Sequence, residues 1–250
     1  MTAVLTSALS LEWWLTPLSG AGDHHLPDWL VWHARSMVAA WGVLLPVGVL
    51  AARYFKVTPR QDWPRVLDNR AWWHAHRGLQ YLGMSLVALG ALLAWNRGAQ
   101  ASALAAWHHW LGWSVVALGA GQLISAWARG SKGGPTAPSM RGDHYDMTSH
   151  RRWFERLHKG LGWLALALAA AVIATGLVTA DAPRWMAGLL GAWWMLLAGL
   201  AWQWQRQGRC IDTYQAIWGP DPGHPGNRLP ATGWGTRRHF DGSRPSDTSN

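Results

Sequence analysis

Four of the twelve histidines in the 250-residue sequence, His33, His76, His108 and His158, stand near the start of successive long apolar runs. An imidazole in such a run is costly to bury and is placed there for a function more often than an ordinary apolar residue is. If consecutive runs form antiparallel helices, the first and third start on one side and the second and fourth on the other. His33 and His108 then share one level, and His76 and His158 share the other. Two imidazoles alone make a poor zinc or copper site, which wants three or four ligands. No carboxylate or thiol lies at those depths. Each pair instead suits a flat macrocycle ligated from both faces, so the expected cofactors are two haem b groups, with all four histidines as iron ligands. Ligation on both faces leaves no open coordination position, which favours electron transfer over oxygen chemistry. With each site about 5 Å inside its membrane face, the two irons would stand roughly 20 Å apart.

Neighbouring residues extend these candidate sites. Gly112 and Gly162 follow His108 and His158 by four residues, and Gly83 and Gly90 follow His76 by seven and fourteen. Such glycines leave room for a macrocycle or simply let helices approach. His74 and His109 compete as ligands, but they point about 200° and 100° away from His76 and His108 around their helices. Arg53, Arg77, Arg152 and Arg156 fall near the inner level. They could hold an anionic donor or the haem propionates, or serve only to orient the chain.

Positioning these residues falls to five stretches without charge, at 37–52, 78–96, 100–128, 160–180 and 185–205. With a few flanking residues, each reaches the roughly 20 that a helix needs to cross a bilayer. Many of the 22 tryptophans sit at the run ends, where an indole prefers the headgroup level. The fold expected is an all-α membrane protein: an antiparallel four-helix haem-binding bundle plus a fifth transmembrane helix. Residues 1–27 read as an N-terminal interfacial segment, 28–180 as the four-helix core, 183–206 as the fifth helix and 207–250 as an extended, partly ordered cytoplasmic tail. Arg53, Lys56, Arg60, Arg65, Arg70 and Arg77 crowd the first loop, and Arg129, Lys132, Arg141, Arg151, Arg152, Arg156 and Lys159 the third, against Arg97 and Arg184 in the other two. Positive charge stays cytoplasmic, so the N-terminus is expected outside and the tail inside. The net charge of +9 therefore reflects topology, and no nucleic-acid partner is expected. The single cysteine, Cys210, has no internal disulfide partner. Asp23, His24 and His25 are weighed as a metal site near the outer level, with a solvated loop the simpler alternative. Midplane windows without Asp, Glu, Lys or Arg argue against a transporter.

The stretch HARSMVAAWGVLLPVGVLAARYFK, from His33 to Lys56, resembles the first core helix of cytochrome b561 domains, with its Trp-Gly at 41–42, Pro46 and Gly48. His76-Arg-Gly-Leu-Gln80 resembles the second-helix motif of that family, and His108 with Gly112 and His158 with Gly162 resemble the third and fourth. The segment GDHYDMTSHRRWFERLHKGLGW, 142–163, is similar to the approach to the last haem-bearing helix in DOMON-associated members. The resemblance covers about residues 30–180. It implies two haems b in the pairing given and electron transfer from a cytoplasmic donor, which is ascorbate in animal and plant members. Two features depart from the pattern. No DOMON module accompanies the core, so a redox partner on the outer side is expected from another chain. Lys159 stands where relatives often carry a second histidine. The expected setting is a bacterial inner membrane in contact with membrane lipid, where a quinol or small soluble carrier takes the place of ascorbate. The alternative is a haem-bearing anchor subunit wiring a partner redox protein.

Overall fold

The computed structural model describes residues 10–20, 25–97 and 102–239, and among them it is helical with no strand. A short helix α1 (Leu11–Leu15) precedes five long ones: α2 (Asp28–Tyr54), α3 (Ala71–Ala94), α4 (Ala103–Trp127), α5 (Ser149–Thr179) and α6 (Arg184–Arg206). Two short helices follow, α7 (Thr213–Trp218) and α8 (Pro225–Arg228). Four of the long helices, α2, α3, α5 and α6, are long and apolar enough to cross a membrane, and the protein is a membrane protein. The fifth, α4, is 25 residues long and carries no charge. His108, His109 and four tryptophans lower its apolarity. Those are residue types a spanning helix keeps for ligation and for the headgroup level.

The chain divides into two compact units, and each long helix contributes a stretch to both. The first comprises Met1–Val47, Leu79–Ala120 and Leu164–Leu200. Its core is Ala40, Trp41, Leu45, Val87, Val115, Ala165, Ala169, Ile173 and Leu190. Small residues set the helix spacing here. A Cβ at Gly83 would stand 2.6 Å from Leu45 Cδ2, and one at Gly119 would stand 2.9 Å from Met84 Cε. In hydrocarbon the gain from such close approach is dispersion and fit rather than release of water.

Within α2 the seven residues Val38–Leu44 form a wide turn of π type, with Leu45 N–H donating to Ala40 O, five residues back. Pro46 explains part of this, since it has no N–H to give the carbonyl of Gly42 four residues earlier. Two indoles from α6 take over that role: Trp193 Nε1 and Trp194 Nε1 donate to Gly42 O at 3.0 and 3.2 Å. A carbonyl left bare in lipid costs several kcal/mol, so this pair fixes α6 to α2. The N-terminal segment is tied to the same unit, where Leu18 N–H donates to Ala182 O and Arg184 N–H to Thr16 O.

The second unit comprises Gly48–Gly78, Gly121–Trp163 and Ala201–Asn250. Its described residues from 207 onward, expected to be extended and partly ordered, include two short helices and a buried turn. Cys210, Ile211, Asp212, Thr213, Tyr214, Gln215 and Ala216 are all buried. Asp212 caps α7 by accepting from Gln215 N, and Gln215 exchanges two hydrogen bonds with the backbone of His239. The third loop is held by close backbone contacts. Gly133 and Gly142 meet backbone to backbone, and a Cβ on Gly133 would stand 2.6 Å from Gly142 N. His144 N–H and Tyr145 N–H donate to Ser131 O and Lys132 O across that contact.

Candidate metal centres

In the first unit, His33 projects from the second turn of α2 and His108 from the second turn of α4. Their ring centres are 6.3 Å apart and the rings are nearly perpendicular, at 80°. His33 Nδ1 lies 2.8 Å from Gly90 O, and His108 Nδ1 lies 3.0 Å from Val172 O and 3.3 Å from Thr175 Oγ1. A carbonyl oxygen can only accept, so each Nδ1 carries the proton and each Nε2 keeps its lone pair for a metal. Ligating histidines elsewhere show the same tie, a backbone acceptor fixing tautomer and ring orientation. A metal–imidazole bond of about 2 Å and about 1 Å from nitrogen to ring centre on each side put two imidazoles of one metal about 6 Å apart. The observed separation fits a single iron between the rings.

In the second unit, His76 Nδ1 lies 3.0 Å from Gly48 O, with the same consequence for its tautomer. His158 Nδ1 lies 3.4 Å from Ser125 Oγ, whose own proton goes to Gln122 O at 2.9 Å. That leaves the hydroxyl oxygen as acceptor and the Nδ1 of His158 as donor. His158 stacks on Phe154 with ring centres 5.1 Å apart, and it lies within electrostatic reach of His76. The first unit holds His33 and His108, and the second holds His76 and His158. Among the described residues no group of three or more His, Cys, Asp or Glu could hold a metal ion.

The competing histidines lie differently. His74 is exposed, and His109 packs edge-on against Trp110 with centres 5.3 Å apart. Gly112 and Gly162 are open but for single contacts, a built Cβ meeting Val172 Cγ1 at 3.9 Å and Gln122 Oε1 at 3.8 Å. Gly83, by contrast, receives the Leu45 side chain, so its missing Cβ serves helix packing rather than room for a macrocycle. The glycine that meets a candidate ligand is Gly176, where a Cβ would stand 2.9 Å from His108 Cε1. Spacing along the sequence could not reveal it, because Gly176 is 68 positions from His108. Asp23 and His24 of the candidate outer metal site lie outside the described residues.

Arginines and lysines of the second unit make defined contacts. Arg53 Nη2 donates to Gln205 Oε1 at 3.1 Å and to Trp234 O at 2.7 Å, while Arg77 is exposed. Arg152 reaches Ser149 Oγ, and Arg156 lies over the ring of Trp153. Buried Glu155 is shared by Arg151 at 3.1 Å, Lys159 at 3.0 Å and His144 Nε2 at 3.7 Å. Burial, reinforced by Arg151, pushes the His144 imidazole down to about 3, so it is neutral. Lys56, 6% exposed, donates to Ile211 O at 2.9 Å, and burial together with Lys159 lowers its ammonium to about 8.

The His33 and His108 imidazoles, side by side between apolar helices, suit a planar metal cofactor. Residues 32–130 match the family model described as eukaryotic cytochrome b561, a family that binds haem b. It is similar to the cytochrome b561, DM13 and DOMON domain-containing protein of Arabidopsis thaliana, 28% identical over 173 residues that are 69% of this chain and 17% of that protein. Ferric-chelate reductase 1 of Bos taurus is 30% identical over 137 residues, 54% of this chain and 22% of that protein. The chain thus spans less than a quarter of the length of these two relatives. No solved structure gives a significant match. The eukaryotic description of the family and the plant and cattle relatives argue against the bacterial inner membrane expected from the sequence. Family and relatives support transmembrane electron transfer in general.

Proposed function

We propose that the protein carries electrons across a membrane through two haem b groups, one held by His33 and His108 and the other by His76 and His158. The observation that carries this reading is the 6.3 Å separation of the His33 and His108 rings, with both Nδ1 atoms tied to backbone carbonyls. Bound haem supplies one-electron redox chemistry; the chain supplies the rest. Four Nε2 atoms act as ligands, and Gly90, Val172, Gly48 and Ser125 hold the rings in place. Apolar helices exclude water around each pair, which favours small reorganisation when charge changes. Basic residues in the first and third loops put the second unit's loops on the cytoplasmic side and the N-terminus outside. Electrons run from a cytoplasmic or quinol donor to an acceptor on the other side. The name of the cattle relative makes a ferric chelate the first acceptor to try.

A second reading has support in the relatives, of which the matched region is a small part. On that reading the chain is a haem-bearing anchor that wires a partner redox protein. Both readings require the same cofactors. Pyridine haemochrome and protein assays on fully loaded material should give two haems b per chain. A ratio of one or less would contradict the proposal.

A further inference from the structure

The most exposed large apolar side chain among the described residues is on no spanning helix. It is Trp234, 84% exposed, in the segment that follows α6. Thr232-Gly-Trp-Gly-Thr236 makes a tight turn around it, closed by Thr236 N–H donating to Gly233 O at 3.3 Å. Gly233 and Gly235 take φ of +113° and +64°, a region that suits glycine. The turn is firmly held. Thr232 O accepts from Lys159 Nζ, Trp234 O from Arg53 Nη2 and Gly235 O from Gln205 Nε2, each at 2.7 Å. Beyond it, Arg237 N–H donates to Cys210 O at 2.8 Å, and Arg237 O accepts from Asp212 N–H at 2.9 Å. An indole left bare to water is unfavourable, so a backbone fixed with its tryptophan outward marks a surface that meets an apolar phase. Depth identifies that phase. The Arg53 guanidinium carbon lies 5.7 Å from the Trp234 ring centre and 5.6 Å from that of Trp163. Trp163 is 40% exposed and stands on α5 just past Lys159, the last charge before the apolar stretch of that spanning helix. Two rings flanking one guanidinium put Trp234 near the first apolar turn of the span, the level at which indoles collect.

We propose that the turn at 232–236 is a membrane-surface anchor: Trp234 enters the phospholipid headgroup layer on the side where α2 ends and α5 begins. The segment after α6 is then seated on the bilayer instead of standing free in the aqueous phase. Lipid is the occupant rather than a second protein, because the exposed ring across Arg53 belongs to a helix long and apolar enough to cross the membrane. Backbone groups brought to that level need partners other than water, and the turn's carbonyls have them in Lys159, Arg53 and Gln205. The anchor requires neither haem nor electron transfer.

Nitroxide accessibility tests this in the full chain, in phosphatidylcholine nanodiscs that hold one protein each. Trp234→Cys carries the spin label, with Leu164→Cys, exposed on α5, as the lipid control and Arg141→Cys, exposed in the third loop, as the water control. Native Cys210, 1% exposed, should stay unlabelled, and Cys210→Ala supplies the background if it reacts. At positions 234 and 164, oxygen, which concentrates in lipid, should relax the label roughly threefold or more better than a water-soluble nickel chelate does. At position 141 the order should reverse. A label at 234 that behaves like the one at 141 would overturn the anchor. Shielding from both reagents would overturn it too, because protein would then cover the position. So would an oxygen preference seen in discs with two proteins and lost in discs with one, which would make a second copy the occupant. If Trp234→Cys does not fold, p-benzoylphenylalanine placed at position 234 keeps an aromatic ring there. Irradiation should then yield a phospholipid adduct on the peptide containing that position, and adducts to protein alone would contradict the proposal.

Discussion

Gly176→Ala tests the site without replacing any candidate ligand. The added methyl would stand 2.9 Å from His108 Cε1 and 3.3 Å from its Nδ1. Carbon–carbon contacts settle near 3.5–4.0 Å, so the ring or the helix must move by about 0.6–1 Å. The ring is held against α5 by Val172 O at 3.0 Å and Thr175 Oγ1 at 3.3 Å, and a shift away stretches both bonds. Overpacking of this kind costs about 1–3 kcal/mol. Placed on one axial bond, that strain weakens it by a factor of about 5 to 150, since 1.4 kcal/mol is tenfold. The assay is carbon monoxide binding to the reduced protein. If His33 and His108 fill both axial positions of one haem, the wild type should bind little, whereas the variant should bind carbon monoxide at that haem and lose it more readily. Gly162→Ala, whose built Cβ meets nothing closer than 3.8 Å, is the control for a methyl added near the other pair. Full haem retention and no carbon monoxide binding in Gly176→Ala would refute the placement of His108 as a ligand.

Two further outcomes follow from charge. His144 titrates near 3 in the fold and near 6.5 unfolded, because burial first and Arg151 next disfavour its cation, with Lys159 and Lys132 adding to them and Glu155 opposing. The unfolded chain then binds the extra proton between those values, so stability is lost as pH falls below about 6.5, by about 2 kcal/mol at pH 5. Proteolysis of the second unit should therefore quicken between pH 7 and 5 in wild type and much less in His144→Phe; equal acceleration in both would contradict this. Cysteines introduced at Pro64 and Pro138 should react only from the cytoplasmic side of intact cells, and labelling of both from outside would reverse the orientation.

The sequence made the helices and the four histidines legible for a physical reason: runs without charge and costly imidazoles stand out one residue at a time. Partners across helices did not stand out. Nothing near His33 indicates Gly90, and nothing near His108 indicates Gly176, because these contacts depend on helix register and crossing. Gly83 lies on the same helical period as His76, yet Leu45 fills its space, since the period gives a face and not its occupant. The order of the segment after α6 is hard to read from sequence because it comes from polar and backbone bonds around Asp212 and Gln215, which leave no apolar period. Lys56 counted as one loop charge among many, and only the fold reveals that it is buried against Ile211.

The central claim is that four histidines make two independent haem sites, paired by unit. Replacing each in turn by alanine and recording reduced-minus-oxidised spectra with redox titration tests it directly. His33→Ala and His108→Ala should lose the same haem and leave the same remaining potential, and His76→Ala and His158→Ala should lose the other. If His33→Ala matched His76→Ala or His158→Ala instead, or if all four variants kept both haems, the account would be wrong.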